Sequence, residues 1–281
     1  MKALWPSWPA CAKQIAETEC LLLLLDYDGT LTPIREHPSM ARLPSATAQV
    51  LRGLSRQPGV AIVLVSGRSV QDLSRMVGLR RLCYVGNHGL ELKSPKLRYV
   101  NPAAQKSKTV LNRIAEELAV VLKPVRGAWV ENKGLTLSVH SREVPLEEKV
   151  LVKNAFHGVV RPYQEKGKVR VTAGKEVFEV RPPVRWTKGT LVNWLLARHR
   201  ALVGGEKILP VYIGDDQTDE DAFETLKGRG ITISVGDSNP LSLAEYAVAS
   251  PEEVREFLGM ILQLRKQAKG RRKRPSPALR R

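Results

Sequence analysis

Three apolar runs in this chain of 281 residues each break off into residues that could handle phosphate. Residues 21–25 run into Asp26-Tyr27-Asp28-Gly29-Thr30, residues 60–65 into Ser66-Gly67-Arg68, and residues 209–213 into Gly214-Asp215-Asp216-Gln217-Thr218-Asp219-Glu220-Asp221. Carboxylates gathered in one place repel one another and raise each other's pKa unless a positive charge sits among them. A hard divalent cation, Mg²⁺ above all, resolves that conflict and keeps coordination positions for a phosphate-bearing substrate. The chemistry implied is phosphoryl transfer. An Asp carboxylate can attack phosphorus and split one hydrolysis into two displacements, while the metal and a fixed cation neutralise the phosphoryl oxygens. Lys188, in Thr187-Lys188-Gly189, is the candidate cation, and Ser66 is a candidate hydroxyl donor. Asp28, close behind Asp26 on the same loop, is placed to protonate the leaving oxygen and then to activate water. A lone Asp-x-Asp or Ser-Gly-Arg is ordinary turn chemistry. The signal is joint, since each cluster follows an apolar run, with metal-type acids at two of them.

Short continuous apolar runs of this kind are strands of a parallel sheet buried on both faces, and such sheets bind ligands beyond the carboxyl ends of their strands. Pro44-Ser45 opens a helix with Ala46, Val50, Leu51 and Leu54 at helical spacing and Ser45 as its N-cap. A second helix is expected over about 69–76 and a strand around 82–85. Between Lys93 and Pro182 the pattern changes. Two amphipathic helices, about 103–122 and 146–164, are followed by alternating strands, among them 135–140 and 168–171. Alternation leaves one strand face wet, as in a small antiparallel sheet backed by helices. The parallel pattern resumes after Pro182-Pro183, with a helix at 188–198, strands at 209–213, 231–235 and 246–249, and a terminal helix from 251 to about 266. The expected fold is α/β: a doubly wound parallel sheet interrupted by a smaller α+β domain. The discontinuous core takes residues 20–93 and 180–262, the insert takes 94–179, and residues 265–281 form a tail.

Composition narrows the classes. Apolar residues at 43% and charged residues at 26% exclude global disorder. The formal net charge is +17, of which the segment 265–281 alone supplies nine basic residues and no acid. No aromatic interleaves Gly270-Arg271-Arg272-Lys273-Arg274, so there is no stacking platform for single-stranded nucleic acid. A solvated, disordered tail is expected, and nucleic acid is not the expected partner. Cys11, Cys20 and Cys83 form neither a disulfide framework nor a zinc spacing, which suits a reducing compartment. The longest apolar run falls far short of a membrane span, and no secretory signal opens the chain. A cytoplasmic protein with no membrane partner is expected.

The order of the three clusters matches the haloacid dehalogenase-like phosphatases. Leu25-Asp26-Tyr27-Asp28-Gly29-Thr30-Leu31-Thr32-Pro33-Ile34 resembles the first motif of the trehalose-6-phosphate phosphatases, a family within that superfamily. So do Ser66-Gly67-Arg68, Gly86-Asn87-His88-Gly89 with Glu91, Glu131-Asn132-Lys133-Gly134, Phe178-Glu179-Val180-Arg181-Pro182 and the cluster from Gly214 to Asp221. The resemblance implies a Rossmann-like core and an inserted cap domain that closes over the sugar. It implies hydrolysis of trehalose 6-phosphate to trehalose and phosphate through an aspartyl-phosphate, with Mg²⁺, as the last step of trehalose biosynthesis. By the same resemblance Asp26 is the nucleophile and a metal ligand, Asp28 the general acid/base with a backbone carbonyl at the metal, and Asp215 the third metal ligand. Asp216 and Asp219 support that site, and Ser66 and Lys188 bind the phosphoryl group. Glu131, Lys133 and Glu179 grip hydroxyls of the distal glucose, as groups that accept and donate toward them from two sides. His88 is either a turn residue or a contact near the closed site, and Arg142 is either a ligand contact or a solvated edge residue. Gly67 and Arg68 brace their loop. The implied partner is a separate trehalose-phosphate synthase.

Two other readings stay open at this level. One core serves many caps, so a related phosphatase of sucrose phosphate or glucosylglycerol phosphate is the enzyme alternative. A nucleic-acid-binding protein that kept the fold and uses its basic tail is the alternative of another class.

Overall fold

The computed structural model describes residues 1–273 apart from 36, 175, 203, 205, 206 and 237–240. The chain begins with β1 (Lys2–Ala3), α1 (Leu4–Glu17), β2 (Cys20–Asp26), α2 (Ser45–Leu54), β3 (Val60–Val65), α3 (Val70–Val77) and β4 (Cys83–Gly86). It continues through β5 (Glu91–Lys93), β6 (Arg98–Val100), α4 (Pro102–Lys106), α5 (Lys108–Leu122), β7 (Trp129–Asn132), β8 (Leu137–His140), α6 (Lys149–Glu165), β9 (Arg170–Gly174) and β10 (Val177–Arg181). The last elements are α7 (Lys188–Leu202), β11 (Ile208–Gly214), α8 (Glu220–Leu226), β12 (Ile231–Val235), β13 (Tyr246–Val248) and α9 (Pro251–Lys273). Two compact units result: among the described residues, one holds 1–66, 74–84 and those from Thr187 onward, the other 67–73 and 85–186.

In the first unit the strands run β1-β13-β12-β11-β2-β3, every neighbour parallel. Strand β2 is buried along its whole length, as its unbroken leucines require of a central strand. The chain leaves β2 toward β3 in one direction, and leaves β11 toward β12 in the other. Right-handed crossovers therefore put α2 and α8 on opposite faces of the sheet, and the direction reverses between β2 and β11. Helix α9 packs on α2 and α1, while α7 packs on α8. Pro44 rather than Ser45 takes the cap position of α2, and Ser45 is its first helical residue. At α3 the expected start is shifted by one, because the Ser69 hydroxyl accepts from the Asp72 N–H and so caps the helix.

The N-terminal segment that carries Trp5-Pro6 and Trp8-Pro9, outside every motif, is helical. Leu4, Cys11 and Ile15 are buried on one stripe of α1, and Trp8 meets Phe257 of α9 edge-on, ring centroids 5.7 Å apart. Helix α9 runs on to Lys273, so part of the segment expected as a tail is helical, and the Arg265 guanidinium donates to the Thr18 carbonyl at 2.8 Å. Residues 274–281 of that expected tail lie outside the described residues. No helix among the described residues is long and apolar enough to cross a membrane.

The second unit is built on an antiparallel sheet, β7-β8-β10-β9. Leu111, Ile114, Leu118 and Leu122 of α5 and Val152, Phe156 and Val160 of α6 recur at helical spacing and form its core with Leu137, Val139 and Val180. Phe178 packs against that core too, stacked on Phe156 at 4.7 Å. Alternation then sends Trp129, Glu131, Ser138, His140, Glu179 and Arg181 to the opposite face. The helix expected over about 103–122 is two helices, broken at Ser107.

Candidate active site

In the first unit the reversal of direction decides where the acids fall. Register pairs Ile213 of β11 with Leu25 of β2, and Asp26 with Val65 of β3. Asp26 therefore ends its strand with Asp215 just beyond the neighbouring strand on one side and Ser66 just beyond the other. The loop after Asp26 turns sharply: Gly29 sits at φ +85°, and a Cβ there would lie 2.0 Å from Asp215 Oδ2, so only glycine fits. The hydroxyl of the next residue, Thr30, donates to Asp215 Oδ1 at 2.9 Å.

Lys188, the first residue of α7, lies in this cluster and is 4% exposed. Its ammonium donates to Asp26 Oδ1 at 2.7 Å and to Asp219 Oδ1 at 2.6 Å. Asp219 is fully buried, and it also accepts from the Tyr212 hydroxyl at 2.7 Å and from the Asp216 N–H at 3.0 Å. Asp216 caps the same turn through the Gln217 N–H at 2.7 Å. A Cβ at Gly214 would come within 2.2 Å of the Asp219 carboxyl carbon, so glycine there lets that carboxylate fold back under the loop.

One buried ammonium does not balance these acids. Burial pushes the Asp26 carboxyl well above the usual carboxylate range, with Asp219 and Asp215 adding to the rise and Lys188 opposing it. Burial and then Asp219 push Asp215 up to about 7, against the Thr30 hydrogen bond and Lys188. The Lys188 ammonium moves the other way: burial would lower it, but Asp219 and Asp26 outweigh burial and hold it charged.

In the second unit a different cluster occupies the helix-free sheet face. Cross-strand register sets Glu131, Ser138 and Glu179 side by side on β7, β8 and β10. Lys133 lies 3.9 Å from Glu131 Oε2 and 3.4 Å from Glu179 Oε1. Glu179 also meets His88 Nε2 at 2.9 Å and Arg181 at 2.5 Å, and Glu131 meets His140 Nε2 at 2.9 Å. Burial works to raise both carboxyls. His88, Lys133 and Arg181 hold Glu179 far below the usual range, and His140 and Lys133 lower Glu131. His88 and Asn87 both take left-handed backbone conformations, φ +57° and +48°. Such strain in bulky residues persists only where surroundings impose it. Here the His88 ring lies against Gly67, where a Cβ would come within 2.6 Å, and Asn87 donates to Glu91 at 2.7 Å.

A trehalose-phosphatase family model matches residues 24–251, from inside β2 to the start of α9. A probable trehalose-phosphate phosphatase D of Arabidopsis thaliana is 34% identical over 272 residues, covering 92% of this chain and 72% of the relative. The chain belongs to the trehalose-phosphatase family. A trehalose-phosphate phosphatase of Mycobacterium tuberculosis is 36% identical over 239 residues, 84% of this chain and 59% of the relative. Among solved structures, a trehalose-6-phosphate phosphatase related protein superposes with a TM-score of 0.75 at 26% identity, over 88% of this chain and 99% of that one.

The superfamily implies a divalent metal, and the residues fit one. Oxygens of Asp26, Asp215 and Asp219 lie within 4.8 Å of one another, a hard-oxygen set short of positive charge. Asp219 differs from the other two, since Lys188, Tyr212 and a backbone N–H already donate to it. The half-buried Asp28 is not in that trio.

Of the residues singled out in sequence, Asp26, Asp215, Asp219 and Lys188 converge in one unit, with Ser66 buried at the neighbouring strand end. Glu131, Lys133, Glu179 and His88 converge in the other. Arg142 is exposed, its Nε 3.8 Å from Glu176, and the Arg68 carbonyl accepts from the Asn87 N–H at 2.7 Å. Sequence reading gave no role to Thr30, Tyr212, Arg181 or His140. A tyrosine in a buried strand signals that its hydroxyl needs a partner, and period-2 alternation puts Arg181 on the face of Glu179. Nothing in the local sequence ties His140 to Glu131.

Proposed function

We propose that this chain hydrolyses trehalose 6-phosphate to trehalose and phosphate. The observation that carries the proposal is the buried Asp26–Lys188–Asp219 array with Asp215 beside it, in a chain of the trehalose-phosphatase family. The Asp26 carboxylate attacks phosphorus as the bond from phosphorus to the sugar oxygen breaks. Asp28 gives that oxygen its proton, leaving an aspartyl-phosphate and free trehalose. Asp28 then takes a proton from water, whose oxygen attacks phosphorus and releases phosphate from Asp26. Lys188 holds Asp26 in place and offsets phosphoryl charge, and Ser66 donates to a phosphoryl oxygen. Mg²⁺ held by Asp26, Asp215 and the Asp28 carbonyl would stabilise the charge that develops on the phosphoryl oxygens.

Phosphoryl chemistry is assigned to the first unit and recognition of sugar hydroxyls to Glu131, Lys133 and Glu179 of the second, with His88 as a contact beside Glu179. Three free thiols support a reducing, cytoplasmic setting, and a separate synthase remains the proposed partner. Phosphate release from a panel of sugar phosphates, with Mg²⁺ and with EDTA, tests the reading. Metal-dependent preference for trehalose 6-phosphate is expected. Preference for sucrose phosphate or glucosylglycerol phosphate would keep the core chemistry and overturn the assignment of Glu131, Lys133 and Glu179.

A further inference from the structure

Glu131 sits on β7, an edge strand of the four-stranded sheet, so it has a neighbouring strand on one side only. Its side chain is 24% exposed, and Lys133, 3.9 Å away, lies closer to Glu179, at 3.4 Å. A glutamate with three rotatable bonds in that position would lose much of its aim to side-chain freedom. His140, on the adjacent strand, supplies what is lacking. Register places His140 directly opposite Trp129, and Glu131 follows two residues later on the same face of β7, so His140 and Glu131 are diagonal neighbours. Trp129 and His140 stack with centroids 4.0 Å apart and planes at 11°, which fixes the plane of the imidazole. Held in that plane, Nε2 lies 2.9 Å from Glu131 Oε2. A hydrogen bond to an ionised carboxylate is shorter and stronger than a neutral one, and it leaves the remaining oxygen to face a ligand.

We propose that His140, held flat by Trp129, is a positioning residue for Glu131: it donates Nε2–H to one carboxylate oxygen and so aims the other at a sugar hydroxyl. This rests on the reading of Glu131 as a sugar contact. His140 touches no reacting atom. Its contribution is to recognition, and it should pass through Glu131.

The experiment compares His140→Ala, His140→Gln, Glu131→Ala and the double variant on trehalose 6-phosphate and on p-nitrophenyl phosphate, with thermal melting as a check of folding. For His140→Ala the rise in KM on the sugar phosphate should be roughly tenfold and should exceed any change on the small ester by about that factor. Gln, whose amide N–H can replace Nε2–H, should recover most of the loss. The double variant should be no worse than Glu131→Ala alone. Equal losses of His140→Ala on the two substrates would overturn the proposal in favour of a folding role, and so would losses that multiply with those of Glu131→Ala. A Glu131→Ala variant that loses equally on both substrates would instead overturn the sugar-contact reading beneath it.

Discussion

Each unit of this molecule places one lysine between two carboxylates, and the surroundings give the two arrangements opposite characters. Lys188 lies 2.7 Å from Asp26 and 2.6 Å from Asp219, with Asp215 close by. Lys133 lies 3.9 Å from Glu131 and 3.4 Å from Glu179, with Arg181 and two histidines donating as well. Around Lys188 acids outnumber cations, and Asp26 and Asp215 are pushed upward. Around Lys133 donors match acceptors, and Glu131 and Glu179 are held down. The first cluster is short of positive charge and suited to a metal and a reacting phosphoryl group. The second is balanced and suited to neutral hydroxyls, which need orientation more than charge.

Breaking the first cluster should have the larger effect. Asp26→Asn keeps the shape but removes the proposed nucleophile, so turnover should fall at least ~10³-fold on any phosphate ester while the melting transition persists. A variant with a near-normal rate would end the covalent mechanism. The two lysines offer a sharper contrast. Lys188→Met leaves Asp26 and Asp219 buried without their shared cation and should cost about 3–5 kcal/mol of stability. Lys133→Met leaves Glu179 with Arg181 and His88, and should cost only about 1–2 kcal/mol. Denaturant melts that rank the two the other way would show that the second cluster, not the first, is the one under charge stress.

The clusters should also respond differently to pH. Mg²⁺ held by Asp215, as proposed, must displace any proton on that carboxyl, which is pushed up to about 7, so Mg²⁺ affinity should weaken by about tenfold per unit as pH falls below that value. Calorimetric titrations between pH 6 and pH 8 that show flat affinity would contradict it. In the second cluster, burial lowers the His88 pKa from its ordinary 6.5 against the pull of Glu179. The unfolded chain then binds the proton more readily than the folded one, so stability is lost as pH falls below about 6.5. Glu179, held low, loses its contribution only as pH falls below its ordinary 4.5, so its window opens at lower pH than that of His88. His88→Gln should flatten the first window, a small effect that melts at pH 7.5 and pH 5.5 would read, and should narrow the second, because Glu179 loses one of the groups that hold it low.

Much of the α/β layout was readable before the fold was known. The run 60–65 matches β3 end for end, and unbroken apolarity in β2 marked a central parallel strand. Helix α1 was missed because its stripe of Leu4, Cys11 and Ile15 is thin and broken by two prolines. The hairpin of β5 and β6 was missed because its strands are three residues each, too short for alternation to register.

What the sequence determined by itself was the chemistry available at each strand end, because the residues that end a strand are contiguous and their types bound what they can do. Asp-x-Asp-Gly-Thr, the acids after β11 and the period-2 face of β10 are all local facts. Which of those groups meet was decided by the tertiary structure alone. Lys188 reaches Asp26 across 162 positions of chain, and it does so because α7 begins beside the reversal between β2 and β11. The tie between His140 and Glu131 exists only through the register of β7 and β8. Pairing and register are set by how whole faces bury against helices, and local spacing does not specify which strand will lie alongside.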